Sequence, residues 1–583
     1  VGTALTVFII SYAYSRIIEH FPHGGGGYIV ATHMLGEKAG VISGSALIVD
    51  YILTITVSIA ACSDAIFSYF PLSLQVYKVP FAAFLILLLI VLNIRGVKES
   101  ITGLAPIFAV FILTHAFLLI YGITSHSGNF RQVAVTAHAS LSHDIGTIGV
   151  MGVFLIFIRA YSLGGGTYTG IEAVSNGLQI MRAPKVETGK RTMLYMATSL
   201  AITAGGLFLC YLLLNVTPTE GKTLNAVLAD ALYGTWTFGP TLAVVTIFSE
   251  GALLLVASQA GFIDAPRVMA NMAVDSWLPH SFAAFSDRLT MRNGVLMVGF
   301  SALALLFYTH GSIGALVVMY SINVFLTFSL SEFGMARFFI RHRKSHADWK
   351  KHLSVHLTGL LMCLTILCIT VFEKFLEGGW LTLVITGILI GLCYAIRSHY
   401  QKINSEKRKF DVLLEAIPSI GEPNTEAVDK TKMTAIQLVS SFNGFGVHTF
   451  FTIIKQFPDV YKNFIFVSVV VIDQGLFKGE EHIDDHKKVV EDSLKKYVEL
   501  ARRFGYPAEY RIETGTDIVS TGSDLCKHVA RQFPRSTVFT GKLAFRIEKL
   551  YHRLLHNEAA YAIQRDLHWN GVTNIILPIR MEG

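Results

Sequence analysis

The chain has 583 residues, 52% of them hydrophobic and only 15% charged, with a formal net charge of +7 and a mean hydropathy of +0.51. Soluble domains seldom reach these values, so the composition points to an integral membrane protein, in which the placement of the basic residues matters more than their sum. The six cysteines (Cys62, Cys210, Cys363, Cys368, Cys393, Cys526) stand singly with no CxxC pair, which excludes a disulfide frame or a zinc site and suits small buried hydrophobes.

With about 20 apolar residues per crossing, spans are expected near 1 to 18, 39 to 69, 80 to 94, 104 to 123, 147 to 181, 193 to 215, 239 to 263, 294 to 309, 312 to 336, 354 to 373 and 379 to 396. Every second loop is basic. One set holds Arg95 and Lys98, then Arg182, Lys185, Lys190 and Arg191, then Arg267, Arg288 and Arg292, then Arg337, Arg341, Arg343, Lys344, Lys350 and Lys351. Those loops are assigned to the cytoplasm, as is everything after Arg397. An odd span count with a cytoplasmic tail leaves Val1 outside, so twelve spans are expected in the full protein, with eleven here and the first helix missing.

Following the first span, FPHGGGGYIV (21 to 30) offers a tight turn and the close approach of a short helix. A phosphate cradle is discounted there, because no Lys follows at Walker spacing and no strand precedes it. The next span carries Asp50, Tyr51, Thr54 and Ser58. Helical positions i, i+4 and i+8 drift by only about 80°, so Asp50, Thr54 and Ser58 make one polar stripe. Counted from Ala39, Asp50 lies about 16 Å into the span, near the bilayer centre. An ionisable side chain there costs on the order of 3 kcal/mol and faces a bundle interior or an ion path. The oxygens suit a hard monovalent cation; an Asp hydrogen-bonded across helices for structure alone is the alternative. His126, His138 and His143 are read as solvated residues of an outer loop.

Within 147 to 181, the stretch YSLGGGTYTGIEAVSN (161 to 176) places Gly164, Gly165, Gly166 and Thr167 where a membrane helix should be continuous. Three successive glycines favour unwound backbone, which a bilayer tolerates only beside a protein-enclosed or watery cavity. A broken helix with Thr169 and Glu172 beside the break is the pattern of a midplane binding site. Glu172 would hold a cation directly or exchange a proton; a glycine-rich packing face with a Glu at the cytoplasmic vestibule is the alternative. Farther on, Glu250 is a weaker relative of Asp50, Ser258 and Gln259 read as interhelical partners, and Tyr320, Ser321 and Asn323 add polar groups to the span at 312 to 336.

Three regions follow: a transmembrane domain at 1–397, a charged linker at 398–432 and an α/β domain at 433–583. In the last, TAIQLVSS, NFIFVSVVVI, AEYRIET, STVFTG and TNIILPIR alternate with amphipathic segments, predicting a mostly parallel sheet of about five strands. FNGFGVHT joins the first strand to the first helix, where a doubly wound fold places phosphate, but the third glycine is missing and plain turn chemistry is the preferred reading. No Walker motif, aspartyl-phosphate segment or nucleophile, base and oxyanion set is legible, so no enzyme is predicted.

Together these stretches resemble the amino acid, polyamine and organocation (APC) transporter superfamily, FPHGGGGYIV resembling its cytoplasmic glycine motif. VDYILTITVSIAACSDAI with TYTGIEAVSNG is similar to the KimA branch of the KUP-type potassium importers. The resemblance implies a LeuT-like 5+5 inverted repeat, proton-coupled transport, a homodimer, and a cytoplasmic α/β tail that answers to a regulatory nucleotide. Carried over by position, it implies a cation site at Asp50, Tyr51, Thr54, Ser58, Thr169, Glu172 and Tyr320. The segment LQIMRAPKVETGK (178 to 190), Cys62, Glu250 and the run Gly164 to Gly166 depart from that branch, which touches the substrate more than the fold. The expectation is therefore a potassium importer working by proton symport and alternating access in the plasma membrane, with no cofactor and no nucleic-acid partner. A proton-coupled amino acid permease and a membrane-bound sensor without flux remain the other readings.

Overall fold

The computed structural model describes residues 2–22, 24, 26–96, 101–164, 169–286, 290–345, 347–415, 423–472, 480–545 and 559–581. The chain divides into two compact units, Val1–Val268 with Asn293–Gly391, and Met269–Arg292 with Leu392–Gly583.

In the helical region the order is α1 (Gly2–His20), α2 (Gly27–Leu35), α3 (Glu37–Phe67), α4 (Lys78–Arg95), α5 (Ile101–Ser125), α6 (Phe130–Leu163), α7 (Thr169–Asn176), α8 (Lys185–Leu213), α9 (Leu224–Tyr233), α10 (Gly239–Val274), α11 (Arg292–Tyr308), α12 (Ile313–Arg341), α13 (Trp349–Lys374) and α14 (Trp380–Glu415). Among the described residues, eight helical stretches are long and apolar enough to cross a membrane. The difference from eleven has local causes. α1, which carries Arg16 and Glu19, is not among the eight, and α11 has only 17 residues. α13 and α14 run on as one 63-residue stretch through a π turn at Phe375–Gly379, where Gly378 takes φ 117°.

One further expectation is corrected. The segment carrying His138 and His143 is helical, because Phe130 to Ile145 contains no Gly or Pro to stop it. Both histidines are exposed, His126 is half-buried, and Gly149 at φ 76° divides α6. The linker is also helical as far as Glu415, since α14 continues into it. Gly36, at φ 106°, separates α2 from α3 and lets the two helices meet at an angle that a side chain would resist.

The most buried candidate spans are α3 and α12, 83% and 67% of whose apolar windows lie inside the protein. They pack on each other and on α2, which puts their polar residues in the interior. By contrast none of the window on α6 is buried, and Phe154, Leu155, Ile156 and Phe157 are all exposed, as suits side chains facing acyl chains.

The tail forms a five-stranded, wholly parallel sheet of β1 (Thr434–Leu438), β2 (Asn463–Val471), β3 (Ala508–Gly515), β4 (Ser536–Phe545) and β5 (Asn574–Met581), ordered β3-β2-β1-β4-β5. Alternation along β2 sends Phe464 and Phe466 into one core with α15 (Gly444–Gln456) and α16 (Glu480–Arg503). Ile465 and Val467 enter the other core, with α17 (Ile518–Gln532) and the last helix, Ala559–Trp569.

Candidate functional site

The glycine motif and the helix-break motif meet. Glu172, in the first turn of α7, accepts a hydrogen bond at Oε1 from the backbone N–H of Gly27, 2.8 Å away at the start of α2. A helix N-terminus carries partial positive charge, so it suits a carboxylate. Thr327 Oγ1 lies 3.3 Å from the other oxygen. A Cβ added to Gly27 would stand 2.7 Å from Glu172 Oε1, 3.1 Å from Ser43 Oγ and 3.3 Å from Ser331 Oγ, so glycine is what lets an acid and two hydroxyls crowd this point. At Gly26 a Cβ would fall 1.4 Å from Asn176 Oδ1, and Asn176 in turn donates through Nδ2 to the Tyr51 hydroxyl.

On α3, Asp50 is 6% exposed and Glu172 on α7 is 4% exposed, too buried for water to screen them well. The charge of Glu172 acts on Asp50, Tyr51 and Tyr320, and that of Asp50 acts on Tyr51 and Tyr320, so these four side chains share one neighbourhood. Asp50 Oδ1, Thr54 Oγ1 and the Tyr320 hydroxyl are buried with no hydrogen-bond partner among the described residues. Buried polar atoms are normally satisfied, so these three oxygens are exceptions, as are other buried polar atoms elsewhere in the chain. Ser58 is buried two turns along α3 from Asp50.

Other expected residues fare differently. Thr169 begins α7, one turn before Glu172. Helix α6 ends at Leu163 and α7 starts at Thr169; Gly164 packs against Thr3, while Gly165, Gly166 and Thr167 lie outside the described residues. Glu250 does not join the group. It accepts two hydrogen bonds from Asn225 Nδ2, at 2.9 and 3.0 Å, and has His115 Nε2 at 3.8 Å, which makes it a satisfied structural acid. Gln259 accepts from Asn93 across helices at 2.9 Å, whereas Ser258 bonds within its own helix. Asn323 accepts from Thr386, and Ser321 donates to Val317 of α12. Cys368 is exposed, the remaining five cysteines are buried, and no group of three or more His, Cys, Asp or Glu stands at metal-binding spacing among the described residues.

Sequence reading placed Gly27 in its turn motif but missed Asn176, Asp264, Thr327 and Ser331. Asp264 is 4% exposed, its charge acts on Tyr51 and Glu172, and Arg267 Nη1 is 3.6 Å away. A signal existed on α12, where Tyr320, Thr327 and Ser331 recur at helical spacing and form a second polar stripe facing that of α3.

In the tail, the turn at FNGFGVHT is filled by protein groups. Asn443 caps α15 by accepting from Gly446 N–H at 2.9 Å, and the Gly444 N–H donates to Asp411 Oδ1 at 2.9 Å. The position that would take a phosphate oxygen holds a carboxylate from α14.

Eight helical stretches long and apolar enough to cross a membrane, among the described residues, with buried acids and hydroxyls between them, define a multi-pass membrane protein. Residues 1–393 match the amino acid permease family, and the chain belongs to that family, which sets it among transporters and not enzymes. It is 32% identical over 412 residues to the potassium transporter KimA of Bacillus subtilis, a match covering 70% of this chain. The chain thus spans 66% of that relative's length, just under two thirds.

Proposed function

We propose that this chain is a secondary active importer of potassium, driven by proton symport and working by alternating access between two inverted five-helix repeats. Its cation ligands are Asp50, Tyr51, Thr54, Ser58, Thr169 and Tyr320, with Glu172 binding the cation or carrying the coupled proton. The observation that carries this reading is the pair of oxygens on Asp50 and Tyr320, both without a partner among the described residues and both under the charge of Glu172, with the Thr54 hydroxyl one turn along α3 likewise without a partner. A dehydrated potassium ion needs several oxygen ligands, which carboxylates and hydroxyls supply. Similarity to a potassium transporter supports the choice of ion. In this reading residues 1–397 transport, 398–432 link, and 433–583 form a cytoplasmic regulatory domain that binds a nucleotide. The protein sits as a homodimer in the plasma membrane.

Rubidium uptake into proteoliposomes under an inward proton gradient tests it. Wild-type flux should fall on the order of 100-fold in Asp50→Asn and Glu172→Gln; undiminished flux in both variants rejects the assignment. The second reading, a proton-coupled amino acid permease, is favoured by the family match. It predicts amino acid uptake and no rubidium flux. A sensor would bind ligand and move nothing.

A further inference from the structure

The part of α6 that leads into the glycine run is a lever with few ties. Gly149, at φ 76° with open space where a side chain would be, divides α6, and the piece from there to Leu163 is about 20 Å long. None of the apolar window of α6 is buried, so packing alone holds this piece weakly. Its far end is tied on two flanks. Toward α1, the Tyr161 hydroxyl shares a hydrogen bond with Thr6, and Gly164 packs on Thr3. Toward the end of α13, Arg159 Nη2 lies 3.2 Å from Glu377 Oε1, and its Nε lies 3.8 Å from Glu373 Oε2.

Arg159 is the only charged residue from Ile145 to Leu163. Phe157 near it, and Phe372 and Leu376 beside its partners, are exposed, so the ion pairs stand among apolar side chains that suit acyl chains. A guanidinium there binds its carboxylates more tightly than it would in water. The carboxylate side is nevertheless built to let it go. Glu377 belongs to the π turn Phe375–Gly379, and its other oxygen pairs with the ammonium of Lys374, a residue only 5% exposed. Closed, the two cations and two carboxylates balance. When Arg159 withdraws, Lys374 still neutralises Glu377, and only Glu373, the looser partner, is left uncovered. Stripping a carboxylate in apolar surroundings of its one cation is strongly destabilising, and sharing Glu377 between two cations avoids most of that cost. The freed guanidinium can reach the polar headgroups on its long stem.

We propose that Arg159 is the positioning residue of the first half of the broken helix, and that its ion pairs with Glu373 and Glu377 are a latch that opens and recloses once in each transport cycle. This rests on the alternating-access reading above. Closed, the latch holds the end of α6 against α13 and so fixes where the chain enters the glycine run ahead of Thr169 and Glu172. Open, the piece swings about Gly149 and uncovers the site from one side. The tie to α1 is a bond between two hydroxyls, weaker than a charge-assisted one, so the ion pairs set the threshold for the movement.

The test ties α6 to the π turn covalently in the full chain. Arg159→Cys with Glu377→Cys, in a Cys368→Ser background that removes the exposed native thiol, is linked in proteoliposomes by a bis-methanethiosulfonate reagent long enough to span an ion pair, and cut again with dithiothreitol. Rubidium uptake should lie within about tenfold of wild type before linking, fall on the order of tenfold or more on linking, and return on reduction, while either single cysteine keeps its uptake in the same reagent. Separately, Arg159→Glu should lose uptake on the order of tenfold, and Arg159→Glu with Glu377→Arg should recover it to within about threefold of wild type, which guards against a variant that does not fold. A static pair kept for folding alone predicts that linking changes nothing, so linked protein that transports at its unlinked rate overturns the latch. So does a charge swap that restores nothing, or a double-cysteine protein inactive before linking. A wild-type chain without rubidium uptake rejects the transport reading itself, and the latch with it.

Discussion

In the helical bundle Asp50, Glu172, Asp264 and Glu332 are buried, whereas the buried polar side chains of the α/β tail, among the described residues, are amides and hydroxyls such as Gln437, Thr449, Asn463 and Ser523. The tail uses its polar groups to close backbone. Gln437 donates to the Gly446 carbonyl and Asn463 to that of Asp429, and Asp517 caps α17 by accepting from Val519 and Ser520. Buried oxygens without a partner among the described residues occur in both regions, Ser523 Oγ in the tail and Asp50 Oδ1 in the bundle among them, so what sets the bundle apart is that it buries carboxylates, with the charge of Glu172 acting on Asp50. Asp264 has Arg267 at 3.6 Å and Glu332 has His356 at 2.7 Å, whereas Asp50 and Glu172 have no basic partner among the described residues, and a buried acid without a cation weakens a fold.

That contrast can be broken by experiment. Its strongest form is Asp50→Leu, which should abolish rubidium uptake, a loss on the order of 100-fold or more, while the melting temperature in detergent holds or rises, since a lone buried acid is removed. A large drop in melting temperature would show that Asp50 is structural. Next comes Gly26→Ala, whose methyl group would collide with Asn176. Overpacking should cost about 1 to 3 kcal/mol, seen in the melt, and should lower uptake as well because Asn176 also holds Tyr51. In the tail, Asp517→Ala removes a cap and should cost about 1 kcal/mol, read as faster hydrogen exchange in α17, with rubidium uptake in the absence of any regulatory ligand little changed.

The smallest effect is set by pH. Burial holds the His448 imidazole below its ordinary range, favouring its neutral form in the folded tail. The unfolded chain then binds the extra proton first, so the stability from His448 is full above about pH 6.5 and is lost as pH falls through that value. Hydrogen exchange in α15 should quicken on acidification across this window, and His448→Gln should flatten the dependence; an unchanged slope would exclude His448 as its source.

Much of this was legible along the chain. The β2 alternation of Phe464 and Phe466 with Ile465 and Val467 announces a strand buried on both faces, and five such runs between helices announce the parallel sheet. Asp50 and Glu172 stood out because a charge is conspicuous in an apolar run. Glu250 stood out for the same reason and proved to be bonded to Asn225, since hydropathy registers the charge and not the partner.

Composition, hydropathy and the spacing of polar residues are properties of neighbours in sequence, and they determined by themselves that the chain is a membrane protein with an α/β tail and an acid on each of two interior helices. Only tertiary packing decided that the Gly27 amide and Thr327 hydroxyl would meet Glu172 across separations of 145 and 155 residues, and that Asp411 would fill the turn at Gly444. A hydrogen bond acts over about 3 Å, and nothing in a local pattern tells which distant groups the helices will bring that close.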